Sequence, residues 1–191
     1  MASIDDKKIK KSVSDFYGDV AEGKKGIEVD SNDLGKALGY SEEELALVPK
    51  EANLGLGCGN PFEYGKPVEG EVVLDLGCGK GMDVFIAAKK VGETGKVIGV
   101  DMTPKMIETA RKISDGRGFT NTDFRLGEIE HLPVADNSVD LVISNCVINL
   151  SIDKKQVYNE ILRVLKPGGR ISVSVIAHIQ TLPDFILEDP K

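Results

Sequence analysis

The residues able to do chemistry fall into two kinds of stretch. In Val72-Val73-Leu74-Asp75-Leu76-Gly77-Cys78-Gly79-Lys80-Gly81 an apolar, strand-type run stops at three glycines spaced two apart, and a helix-compatible segment from Met82 to Val91 follows directly. Glycine has no side chain to forbid left-handed torsions or to hold a bound molecule away, so this turn can be tight and its backbone can approach a ligand. The second kind carries thiols. Cys58 lies inside Asn53-Leu54-Gly55-Leu56-Gly57-Cys58-Gly59-Asn60-Pro61, and Cys146 inside Ser144-Asn145-Cys146-Val147-Ile148-Asn149-Leu150. Thiolate sulfur is a nucleophile and a soft-metal ligand. The glycines around Cys58 would present its sulfur to a substrate, but a free cysteine also packs readily as a small hydrophobe, and local sequence leaves both readings open.

Carboxylates complete the set. Asp101 ends a strand-like run about twenty residues beyond Gly81, where a carboxylate can accept both hydroxyls of a ribose. Capping the next helix is its alternative role, but Thr103 before Pro104 is the more obvious cap, so the ribose role is favoured. Glu128, just past a third strand, is placed to hold an adenine amino group, with the Ile129 N–H meeting a ring nitrogen. A dinucleotide fingerprint requires a glycine where Met82 stands, so nicotinamide redox chemistry is disfavoured. His131, beside a proline turn, reads as a solvated loop histidine, and Cys78 as an inert small residue within the turn.

Composition narrows the partners. The chain has 191 residues with 31 acidic against 24 basic, a net charge of −7, which argues against a nucleic-acid-binding face. The cluster Lys7, Lys8, Lys10 and Lys11 reads as a solvated helix face. No stretch has signal-peptide or membrane-span character, so a cytoplasmic location away from membranes is expected. Three cysteines are too few and too odd for a disulfide framework and are expected as thiols in a reducing compartment.

The elements that must position these residues follow in order. Apolar spacing over residues 4 to 20 predicts an amphipathic helix, and Ser41-Glu42-Glu43-Glu44 is a capping box opening a short helix to about Val48. The segment between reads as polar loop. Residues 1 to 66 are therefore expected to form a helical cap with the Cys58 loop, and 67 to 191 the core. From Glu71 strands and helices alternate: strands end at Leu76, Val100, Gly127 and Ser144, a helix spans 153 to 166, and a fifth strand runs from Arg170 to about Ile176. This predicts a doubly wound, Rossmann-like parallel sheet of order 3-2-1-4-5 with helices on both faces. His178 to Phe185 reads as a poorly periodic tail.

Asp75-x-Gly77-x-Gly79-x-Gly81 resembles the first motif of class I S-adenosylmethionine-dependent methyltransferases. Together with Gly99-Val100-Asp101-Met102-Thr103-Pro104, Arg125 to Pro133, Ser144 to Leu150 and the Leu56 to Pro61 loop, it resembles the arsenite S-adenosylmethionine methyltransferases over roughly residues 40 to 177. The resemblance implies that Asp75, Gly77, Gly79, Gly81, Asp101, Met102, Glu128, Ile129 and Asn145 surround S-adenosylmethionine. It also implies that Cys58 and Cys146 bind trivalent arsenic, the methyl acceptor, with a thiol reductant as partner. Arsenic so held keeps a lone pair for attack on the methyl group, and no proton need leave it. Two departures from the family are expected to matter. The chain stops before the family's further strands and carboxyl-terminal thiol, and its fifth strand is left as an edge prone to self-association. A non-catalytic cofactor- or metalloid-binding remnant, or a methyltransferase for an organic small molecule, are the alternatives.

Overall fold

The computed structural model describes residues 4 to 25 and 30 to 177; the tail read at 178 to 185 lies outside them. Helix α1 (Ile4–Ala21) is followed by α2 (Ser31–Ala37), α3 (Glu42–Leu47) and a 3-10 turn at Lys50–Ala52, and a second such turn at Ile148–Leu150 follows the fourth strand. Then come β1 (Val72–Leu76), α4 (Met82–Val91), β2 (Lys96–Asp101), α5 (Pro104–Arg117), β3 (Thr122–Leu126), β4 (Val139–Asn145), α6 (Lys154–Val164) and β5 (Leu165–Ser174).

All five strands pair in parallel, in the order β3-β2-β1-β4-β5. Strand residues alternate between two buried layers, as a sheet covered on both faces requires. Val73, Leu141 and Ile143 face a layer built from α4, α5 and the amino-terminal segment, including Tyr40 and Phe62. Leu74, Leu76, Val142 and Val139 face the opposite layer with Val157, Ile161 and Val164 of α6. Asp75 stands at the alternation position shared with Val73, so its carboxylate points to the side where the amino-terminal helices pack.

Local chemistry sets the ends of the elements. The capping box is present: the Glu44 N–H donates to Ser41 Oγ and the Ser41 N–H to Glu44 Oε2, both at 3.1 Å. Helix α1 continues through Gly18 to Ala21. Helix α2 was not anticipated, because Asp30-Ser31-Asn32-Asp33 is turn-type sequence. The Asp30 carboxylate caps it by accepting from the Asn32 and Asp33 N–H groups, and Gly35 lets it pack closely on Leu45. Strand β5 also starts earlier than Arg170. Val139 pairs with Leu165, then Leu141 pairs with Arg170, so the Lys166–Gly169 turn is absorbed as a bulge within the strand.

Candidate functional site

A cavity of about 330 Å³ opens at the carboxyl edge of the sheet, above β1 and β2. That size lies at the lower end of small-molecule sites. The glycine turn forms its floor. Gly77 has φ +69°, and a Cβ there would overlap the Val147 side chain, so glycine lets the turn lie against the segment that carries Cys146. The Gly77 and Cys78 N–H groups donate to the Val100 carbonyl, tying the turn to β2. Helix α1 closes one side with Lys10, Val13 and Tyr17.

The cavity is acidic. Asp75 is raised well above the ordinary carboxylate range by burial, then by the charges of Asp83 and Asp101. Burial pushes Asp83 up to about 6, against the hydrogen bond from the Tyr40 hydroxyl that favours its charge. Asp101 is likewise raised by burial, while its Oδ2 accepts from the Gly79 N–H at 2.9 Å and its Oδ1 from the Thr103 N–H at 2.8 Å. Thr103 makes no side-chain cap. Three carboxylates raised together by burial form a site that gains free energy from a cationic ligand.

Asp75, Gly77, Gly79, Asp101, Met102, Ile129, Asn145 and Cys146 all line this cavity. Gly81 stands just below, at the start of α4, where a Cβ would meet Phe124 and Phe85. Glu128 stands apart. Its exposed carboxylate accepts from Lys10 Nζ at 2.6 Å and lines a neighbouring surface depression. Lys10 also reaches the buried Glu130 at 3.4 Å, so it is drawn off the solvated helix face, whereas Lys7, Lys8 and Lys11 remain exposed. His131 is exposed, and Cys78 is buried with its sulfur beside Gly99.

Cys58 and Cys146 converge although 88 residues separate them, with Cα atoms 5.6 Å apart. Their sulfurs lie against each other, so the two cysteines are within reach of a single bond or a shared ligand, while Cys78 is buried apart from them. The odd cysteine count argued against a disulfide framework but said nothing of a single pair, whose partners only the fold brings within reach. Cys146 sits on the cavity wall, and Cys58 stands behind it with its neighbours Leu56 and Gly57 on the wall. Cys146 has φ +61°, a left-handed conformation that costs a non-glycine residue about 1–3 kcal/mol and clusters at functional sites. Its N–H donates to the Ser174 carbonyl of β5 at 2.8 Å, so sheet pairing continues through the strained residue.

Two residues that sequence reading missed complete the surroundings. Tyr40, 4% exposed, donates its hydroxyl to Asp83 Oδ1 at 2.7 Å. A carboxylate two positions after the last turn glycine was the available signal for Asp83; nothing in the sequence pointed to Tyr40.

A family profile described as "Methyltransferase domain" matches residues 67–191. The chain is 52% identical over 153 residues to an arsenite methyltransferase of Halobacterium salinarum, covering 80% of this chain and 39% of that protein. It is 36% identical to the human arsenite methyltransferase, covering 97% of this chain and 52% of the relative. Among solved structures, an arsenic(III) S-adenosylmethionine methyltransferase from Chlamydomonas reinhardtii superposes with TM-score 0.64 at 42% identity, covering 82% of this chain and 53% of the other. The chain thus spans about half or less of the length of the relatives it matches.

Proposed function

Because the chain belongs to the methyltransferase-domain family and is similar over most of its length to arsenite methyltransferases, we propose that it binds S-adenosylmethionine and methylates trivalent arsenic held by Cys58 and Cys146. The observation that carries this reading is the convergence of Cys58 on Cys146, which lines the cavity whose floor is the glycine turn.

The residues present fit the cofactor. A Cβ on Gly79 would meet no atom within 4 Å, leaving that stretch of turn open to a ligand, and the raised carboxylates call for positive charge. Asp75 and Asp101 are proposed to hold its ammonium and ribose, with Met102 and Ile129 against the adenine ring and Glu128 at its rim. When bound, S-adenosylmethionine supplies an electrophilic methyl group on a positively charged sulfur.

The chain's own contribution is to hold the acceptor. Where the two sulfurs are bonded, thiol reductant opens the Cys58–Cys146 pair: two reductant thiols become one disulfide, and their two electrons and two protons leave two protein thiols. Arsenite then exchanges oxygen ligands for these sulfurs, releasing water, and soft sulfur is the donor it prefers. The bound arsenic retains a lone pair and no proton, so no general base is needed. Rate would come from holding acceptor and donor in near-attack geometry. Residues 1 to 66 act in this reading as a cap that brings Cys58 to the core of 67 to 191, within a reducing cytoplasmic compartment.

The test is mass spectrometry of products after incubation with arsenite, reductant and S-adenosylmethionine. Methylarsenicals are expected; their absence in a chain that binds both ligands would refute catalysis. The second reading is a binder that takes up arsenite without turnover, which the same assay would show as arsenite uptake with no methylated product.

A further inference from the structure

We propose that Tyr40 and Asp83, acting through the side-chain amide of Asn145, are positioning residues that hold the Cys58 loop against Cys146. The Asn145 amide lies at the centre of three hydrogen bonds. Its Oδ1 accepts from the Cys58 N–H at 2.8 Å, and its Nδ2 donates to the Gly59 carbonyl at 2.8 Å and to the Tyr40 hydroxyl at 3.0 Å. Tyr40 in turn donates to Asp83 Oδ1 at 2.7 Å. A Cβ on Gly57 would come within 3.1 Å of Asn145 Nδ2, so the loop is shaped to receive this amide.

The chain of bonds has a direction. An ionised Asp83 can only accept, so the Tyr40 hydroxyl spends its proton there and can only accept from Asn145. That fixes which way the amide faces, and the Asn145 oxygen is left for the Cys58 N–H. A flipped amide would set NH2 against N–H and C=O against C=O at the loop. The first turn of α4, immediately after the glycine turn, thereby dictates the placement of a thiol on a loop that precedes β1. The side chain of Cys146's sequence neighbour thus holds the Cys58 backbone in place.

The functional meaning rests on the arsenic reading above, but the measurement does not. The Cys58–Cys146 pair is equilibrated with a buffer of reduced and oxidised glutathione, in which two glutathione thiols open one protein disulfide. The constant reports how closely the two thiols are held in the reduced chain. In Tyr40→Phe the equilibrium is expected to shift about five- to tenfold toward the open dithiol, the size of one lost hydrogen bond of ordinary strength. Affinity for S-adenosylmethionine by calorimetry should stay within about twofold, and the arsenite affinity of the reduced protein should fall in parallel with the equilibrium. Asp83→Asn, which removes the charge but leaves an acceptor for the phenol, should shift the equilibrium less. A folded Tyr40→Phe chain with an unshifted equilibrium overturns the proposal. Should that variant not fold, Asp83→Asn and Asp83→Ala decide in the same readout, and wild-type values in both overturn it. A shifted equilibrium in a chain whose parent neither binds arsenite nor makes a methylarsenical upholds the positioning role while removing the arsenic reading.

Discussion

Asn145 and Cys58 are 87 residues apart in the chain, yet the Asn145 side chain accepts the Cys58 N–H at 2.8 Å. That bond couples the carboxyl end of β4 to the loop before β1, and it sets Cys58 beside Cys146.

Replacing Cys146 with serine should abolish arsenite-dependent methyl transfer, by at least about a hundredfold, because oxygen is a poor ligand for a soft centre. Affinity for S-adenosylmethionine, read by calorimetry, should change less than about twofold. Retained turnover would remove the thiolate assignment, as it would for Cys58→Ser.

Replacing Asp101 with alanine should weaken S-adenosylmethionine binding about 10- to 100-fold, the range for hydrogen bonds to a charged group. The Gly79 and Thr103 N–H groups would also lose their acceptor. Unchanged affinity would exclude the ribose role.

Stability should depend on pH through Asp83. Its folded pKa, about 6, lies above the ordinary carboxylate value near about 4, so the native state binds more protons than the unfolded chain between these values. Stability contributed by this group is therefore full below that window and is lost as pH rises through it. Ion-paired carboxylates such as Glu71 and Glu160 are shifted down, and their loss comes only at lower pH. Urea unfolding of the ligand-free chain should show stability falling from about pH 4.5 to about pH 6.5. Asp83→Asn should flatten that slope, and an equal slope in both chains would contradict the assignment.

Gly77→Ala should destabilise the chain by about 2–4 kcal/mol, combining a left-handed backbone with overpacking against Val147. Because the displaced segment carries Cys146, methyl transfer should fall more than thermal stability alone predicts. A variant with parental melting temperature and turnover would show that the turn need not lie so close.

Among the described residues β5 pairs with β4 alone, and Ile171 and Ile176 near this edge are 42% and 68% exposed. Self-association of this 191-residue chain is the proposed consequence. Sedimentation should show concentration-dependent dimers that Ile176→Lys suppresses; a monomer at all concentrations would count against the edge.

The parallel sheet and its order were legible in the sequence because strand and helix patterns alternate from Val72 to Ser174, and local periodicity carries that information. The glycine turn was legible for the same reason: its chemistry is written in consecutive residues. Helix α2 was not, since a short segment with a glycine inside gains its stability from packing on Leu45 rather than from propensity. Nor was the bulge in β5, which exists only in register with β4. The sequence marked Cys58 and Cys146 as sulfur ligands through motif resemblance. Only the tertiary structure decided that they meet, that Tyr40 and Asp83 stand behind them, and that Lys10 turns to Glu128 and Glu130. These are relations between residues distant along the chain, and no local pattern encodes a distance that packing alone closes.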